Sequence, residues 1–319
     1  FMAKKMYKEP VRRRLKREIG AIKRDRLLYI MVIPGVIFFL LFRYVPMYGI
    51  TIAFRDYNLF RGFSDAPFIG MKIFNRMFNT VAFNRAFVNT IIISLSKLAW
   101  GFPAPIILSL MLNEVGHMKL KKAVQTSLLL PHFMSWVVIG GVLYMILSPN
   151  SGIIRDIAEL FGKGESVVNV MGDKRYFRTF LVVSEIWKGM GYGTIVYLAA
   201  IAGIEPSLYE AATIDGANKL QTILRITLPS IMPTIAVMLI LKMGSIISVD
   251  FEQVFLMSNA LVKSKLEVFE IYIYNNGIAS GSTQYSYTTA IGLFKSVVST
   301  TLVLTTNYIT TRKGFEGIV

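Results

Sequence analysis

Residues 205–229 read Glu205-Pro-Ser-Leu-Tyr-Glu-Ala-Ala-Thr-Ile-Asp-Gly-Ala-Asn-Lys-Leu-Gln-Thr-Ile-Leu-Arg-Ile-Thr-Leu-Pro229. Pro206 suits the first position of a short helix, because it lacks an N–H that would be unpaired there anyway. Gly216 can take the left-handed conformation that ends such a helix. A second short helix is predicted over about Asn218 to Leu224, after which Pro229 opens a further apolar run. The result is a helix-turn-helix elbow. Its small Ala211 and Ala212 allow close approach of another surface, and Glu210 offers a carboxylate to fix orientation.

Apolar runs flank this elbow on both sides. A helix needs roughly 20 mainly apolar residues to cross the hydrocarbon of a bilayer, and six stretches qualify: Leu27 to Val45, Phe87 to Leu112, Val124 to Leu147, Phe180 to Ala202, Pro229 to Val249 and Tyr285 to Ile309. Pro34, Pro103, Pro105, Pro131 and Pro233 lie in or near them, where neighbouring helices can re-satisfy freed backbone groups. Kinks are expected there. The composition agrees. Of 319 residues, 54% are hydrophobic and 17% charged, against about 25% charged in a soluble chain, and the mean hydropathy is +0.52.

The net charge of +16 would suggest nucleic acid in a soluble protein. Its distribution excludes that partner. The first 26 residues hold eleven basic residues against Glu9, Glu18 and Asp25, about half of the excess. They form no aromatic stacking ladder and run directly into the first apolar stretch. A basic flank of this kind stays cytoplasmic and meets anionic membrane lipid. A cleaved signal peptide would have a shorter apolar region closed by small residues, whereas this one continues through Phe38-Phe39-Leu40-Leu41-Phe42.

Six spans with the N-terminus inside put both termini in the cytoplasm. The turn 113–123, with Lys119, Lys121 and Lys122, and the tail, with Arg312 and Lys313 against one acid, fit the inside. Loops 148–179 and 250–284, nearly neutral and acidic respectively, fit the outside. Loop 46–85 is the exception, with Arg55, Arg61, Lys72, Arg76 and Arg85 against Asp56 and Asp65; the leader outweighs it. The expected organisation is a leader at 1–26, a six-span domain at 27–311 carrying the elbow at 205–228, and a tail at 312–319.

Enzyme chemistry finds little material. The absence of cysteine removes disulfides and thiolate sites. The two histidines, His117 and His132, supply neither a metal site nor an acid/base pair, so no metal and no catalytic residues are expected. Gly162-Lys163-Gly164 lacks the earlier glycine and the following Ser or Thr of a phosphate loop. Gly189, Gly191 and Gly193 lie within the fourth run, where glycines mark close helix packing.

The elbow resembles a known signature. The pattern Glu-Ala-Ala, three residues, Gly, nine residues, Ile, one residue, Leu-Pro is that of the inner-membrane permease subunits of binding-protein-dependent ABC importers. Glu210, Ala211, Ala212, Gly216, Ile226, Leu228 and Pro229 match every position. Tyr44-Val-Pro-Met-Tyr-Gly-Ile-Thr-Ile-Ala-Phe-Arg-Asp-Tyr57, Gly101-Phe-Pro-Ala-Pro-Ile-Ile-Leu-Ser-Leu-Met-Leu-Asn-Glu-Val115, Leu130-Pro-His-Phe-Met-Ser-Trp-Val-Val138 and Tyr285-Ser-Tyr-Thr-Thr-Ala-Ile-Gly-Leu-Phe-Lys-Ser-Val-Val298 resemble the LplB-type branch. That branch is similar to the maltose-type permeases and includes the alginate importer's first permease subunit.

The resemblance implies an all-α type I importer permease for an oligosaccharide or polysaccharide fragment, in the bacterial inner membrane. It implies a second, related permease forming a heterodimer, two ATPase subunits that hold ATP and Mg, and an extracytoplasmic solute-binding protein. The elbow becomes the coupling helix, and loops 46–85, 148–179 and 250–284 become docking candidates. Tyr57, Phe60, Phe63 and Phe68 make the first of these aromatic, as membrane-interface anchors also are.

Charges inside spans are costly and usually face the bundle interior or a water-filled cavity. Lys97, Glu185, Lys188, Lys242 and Lys295 are such residues and are the pathway candidates, favouring an anionic glycan such as a uronic-acid oligomer. Glu185 and Lys188, three apart, share a helical face and can neutralise each other. Lys97, Lys242 and Lys295 have no opposite charge within a turn, which leaves partners on other helices or snorkelling to an interface. Two rival classes remain. A proton-coupled sugar carrier would use Glu185 as its one buried acid. A membrane hydrolase would need a companion acid for His132, and the sequence around it supplies none.

Overall fold

A computed structural model describes residues 24–60, 62–164, 167–279, 281, 284–315 and 317. The basic leader up to Lys23, Arg61 of the first loop and the tail's acid, Glu316, lie outside the described residues. Among those residues the chain is helical, and its β pairing is an isolated antiparallel bridge between Arg55 and Phe68. It divides into two units, residues 1–52 and 53–319.

The first unit carries α1 (Arg26–Phe39), which runs through a wide turn at Leu40–Tyr44 into a tighter helix starting at Val45. No side chain of α1 is buried, Pro34 included.

The second unit contains α2 (Lys72–Phe78), α3 (Val81–Ser96), a wide turn at Lys97–Gly101, α4 (Pro103–Asn113), α5 (Met118–Phe133), α6 (Trp136–Leu147) and α7 (Ile153–Leu160). It continues with α8 (Phe177–Ala202), α9 (Pro206–Ile214), α10 (Lys219–Thr222), a wide turn at Ile223–Thr227 and α11 (Leu228–Gly244). Short α12 (Phe251–Leu256), α13 (Lys263–Leu266) and α14 (Phe269–Tyr274) precede the long α15 (Tyr285–Arg312). Among the described residues, four helical stretches are long and apolar enough to cross a membrane, or up to six if each of two bent pairs is one span.

Three expected spans are reshaped. The run Val124 to Leu147 is no single rod: α5 begins at Met118, and the chain turns by 108° between α5 and α6. Met134 and Ser135 adopt extended ψ values of 141° and 156°, and Ser135 restarts the helix by accepting from Val138 N–H at 3.4 Å. Pro131, which donates no backbone hydrogen bond, lies just before the break. The predicted second elbow helix does not end at Leu224. From Lys219 it continues through the wide turn into α11, so Pro229 lies just inside α11, and the turn before it absorbs the ring and the missing donor. The same device occurs at Lys97–Gly101, ahead of Pro103 and Pro105. The fifth run also stops at Gly244, short of Val249.

α8 is the central helix, packed on α4, α5 and α11, while α11 also packs on α15. Two apolar cores form. One gathers Phe74, Met77, Phe83, Phe269, Tyr287 and Ile291; the other gathers Ile93, Trp136, Phe177, Leu181, Val254 and Leu266. Segment 250–284, expected as a loop, thus contributes to both cores: among its described residues Val254, Val262, Val268 and Phe269 are fully buried. Asn89 donates to the carbonyls of Ser264 (3.1 Å) and Glu267 (3.0 Å), and Thr90 Oγ1 accepts from Phe269 N–H at 3.0 Å. These bonds satisfy buried backbone groups that an irregular segment otherwise leaves open. Tyr272 shares a 3.1 Å hydroxyl bond with Tyr287; burial, and then that bond, push its phenol above the usual range.

Candidate functional site

The elbow has the local geometry its residues dictate. Pro206 stands in the first turn of α9, which leaves α8 at 73°. Gly216 has φ +72°, and Ala217 N–H returns to the Ala212 carbonyl at 2.9 Å, closing the helix end. Asn218 and Gln221 then form a reciprocal capping box, with bonds of 2.9 and 2.8 Å. Glu210 and Ala211 are exposed, but Ala212 is buried against its own subunit, so the pair divides between an outer and an inner face. Ile226 and Leu228 are half-buried and Pro229 is exposed. Tyr209 Oη lies 3.1 Å from Oγ1 of buried Thr227. That bond ties the elbow to the wide turn heading α11, a link no spacing rule announces.

The intramembrane charges sort into separate environments. Lys97, in the wide turn after α3, forms an ion pair with Glu185 of α8 and donates to Gln253 Oε1 at 2.9 Å. Gln253 is fully buried and donates to the Leu181 carbonyl (2.8 Å) and Ser184 Oγ (3.0 Å). The Glu185–Lys188 pairing that helical spacing allows is not the one formed. Lys188 instead donates to the Met134 carbonyl, which the α5–α6 break leaves free, and lies 5.1 Å from the centre of the Trp136 ring. Trp136 Nε1 in turn donates to Asp250 at 2.7 Å, and Asp250 caps α12. Lys295 of α15 is paired with Glu270 of α14.

Lys97, Glu185 and Lys242 converge on one cavity of about 190 Å³ between the wide turn, α4, α8 and α11. Its remaining lining is mostly apolar, with Gly189 and Gly193 on α8 and Met238 on α11. Lys188 and Lys295 do not line it. Gly191 and Gly193 do pack closely: a Cβ on Gly191 would lie 2.1 Å from the Leu128 carbonyl oxygen, and one on Gly193 3.0 Å from Pro105 Cβ. Gly189 faces open space. His132 stacks on Tyr192 at 4.4 Å, and His117 caps α5. Of the first-loop aromatics, Tyr57 packs edge-on to Tyr285 and Phe63 lies beneath Arg55, while Phe60 and Phe68 are exposed.

A family model described as "Binding-protein-dependent transport system inner membrane component" matches residues 26–313. The chain belongs to this family. It is 41% identical to Protein LplB of Bacillus subtilis, over 94% of this chain and 93% of that protein. It is also 41% identical to the polygalacturonan/rhamnogalacturonan transport system permease protein YteP of the same organism, over 98% and 95%. A crystal structure of a bacterial alginate ABC transporter in complex with an alginate pentasaccharide-bound periplasmic protein has a chain that superposes with a TM-score of 0.85 at 40% identity, over 94% of this chain and 99% of that one. The fold is therefore that of a type I ABC importer permease, and the chain is a multi-pass membrane protein.

Proposed function

We propose that this chain is one of two permease subunits of an ATP-driven, binding-protein-dependent importer for oligosaccharides or polysaccharide fragments, with acidic glycans as cargo. It spans the bacterial cytoplasmic membrane six times with both termini inside and forms half of the translocation pathway. A second permease forms the other half, two separate ATPase subunits hold ATP and Mg, and an extracytoplasmic protein delivers the saccharide.

The observation that carries the reading is the elbow. Exposed Glu210 and Ala211, with Leu208, Ile214 and Leu220 also exposed around them, offer an anionic and apolar face for a partner. The Tyr209–Thr227 bond gives that face a mechanical connection to α11, and α11 borders the cavity. Closure of the ATPases on the elbow would thereby move a wall of the pathway. Acidic cargo is supported by the relatives, one named for the uronic-acid polymer polygalacturonan and another for alginate. Glu185, the acid that the sequence offers to a proton-coupled carrier, is ion-paired with Lys97.

Purification through this chain from its native membranes tests the reading. ATPase subunits should co-elute, and Ala211→Trp should detach them while leaving the subunit folded. Uptake that survives loss of every ATPase and collapses with the proton gradient would overturn it.

A further inference from the structure

The cavity contains two lysines and one glutamate. Lys97 is buried, and its charge is matched by Glu185 and by the Gln253 carbonyl oxygen. Outside the cavity, Lys295 is matched by Glu270, and Lys188 is occupied by the Met134 carbonyl and the Trp136 ring. Lys242 differs from all three. Its ammonium has no ion-pair or hydrogen-bond partner among the described residues, and it lines the cavity together with Met238, one turn earlier on α11. The other lining residues carry no formal charge, so this wall of the cavity has one uncompensated positive charge. The C-terminal end of α11 attracts a cation with about half an elementary charge, which leaves the remainder unopposed. A lysine in a membrane-spanning helix without an acid partner is unfavourable unless it snorkels to an interface or a pathway or ligand solvates it, and Lys242 lines the cavity.

We infer that Lys242 is the group in this cavity that reads a carboxylate on the passing saccharide, whereas Lys97 is a structural cation already spent on Glu185. The inference rests on the glycan-import reading above and names the residue and the chemical group that would make that site selective. The required geometry is modest. A lysine ammonium is a mobile point charge rather than a rigid fork, so it can hold successive uronate units as a chain is drawn past without fixing one sugar in place.

The test uses the complete importer, with its partner permease, ATPases and binding protein, reconstituted in vesicles. The probes are a uronic-acid trisaccharide and the same trisaccharide with its carboxyl groups reduced to alcohols. Lys242→Met should lower uptake of the acidic probe about ten- to hundredfold, the worth of one hydrogen bond to a charged group, and leave the reduced probe close to wild type. Lys242→Arg should restore most of the acidic uptake. Equal loss for both probes, or failure of Lys242→Arg to rescue a folded complex, would overturn the role of Lys242 while leaving glycan import intact. A wild-type complex that hydrolyses ATP yet moves neither probe would instead overturn the import reading, and the inference with it.

Discussion

Lys97 and Gln253 are 156 residues apart in sequence and meet at 2.9 Å inside the molecule. Gln253 also holds the Leu181 carbonyl and Ser184 Oγ, so one amide joins the wide turn after α3, the N-terminal part of α8 and the short helix α12. Segment 250–256 is thereby anchored on the wall of the cavity. Replacing Gln253 by Leu should destabilise the subunit by about 1–3 kcal/mol, since it leaves buried groups without their partner. Chemical unfolding in detergent, with Gln253→Glu as the charge-altering comparison, measures this. An unchanged midpoint for Gln253→Leu would deny the hub.

The Lys97–Glu185 pair yields a double-mutant cycle. Lys97→Met alone strands Glu185, whose side chain is 29% exposed, and should cost about 3 kcal/mol, near the lower bound for a broken buried pair. Combining it with Glu185→Gln should recover at least half of that loss. Additive losses in the double variant would show that the two side chains do not interact.

Glycines two residues apart on α8 should respond oppositely. Gly191→Ala places a Cβ against the Leu128 backbone, which cannot swing aside as a side chain would, so α5 and α8 must separate. The cost should be about 1–3 kcal/mol. Gly189→Ala meets nothing within 4 Å and should raise stability in detergent by about 0.5–1 kcal/mol, the preference of a helix interior for Ala over Gly.

Tyr209→Phe removes one hydroxyl from the bond between the elbow and Thr227. It should cost about 1 kcal/mol of stability and lower the saccharide moved per ATP hydrolysed by the complex, with the ATPases still bound. Full coupling in this variant would show that force passes by another contact.

The elbow was legible because its determinants are local. Pro206 starts a helix and Gly216 ends it by backbone preference alone, and the capping box at Asn218 and Gln221 was also present in the sequence as a spacing of three, although the prediction placed only the helix there. Apolar runs of about 20 residues were legible for the same reason, since each segment meets the membrane by itself. The shape of the third run was not. Pro131 announced a disturbance, but a full 108° break depends on finding a partner for the Met134 carbonyl, and that partner is Lys188, 54 residues away.

The sequence by itself determined that this chain is a helical membrane protein, roughly where its apolar runs lie and that an elbow stands between two of them. Each of these follows from hydropathy, chirality and capping within a few residues. Only the tertiary structure decided which charges are spent. Helical spacing proposed Glu185 with Lys188, because neighbours one turn apart are the only pairs a single sequence can rank. Packing gave Glu185 to Lys97 on another element, gave Glu270 to Lys295 and left Lys242 facing the cavity alone. An ion pair forms where low dielectric and proximity coincide, and proximity between distant segments is set by the fold.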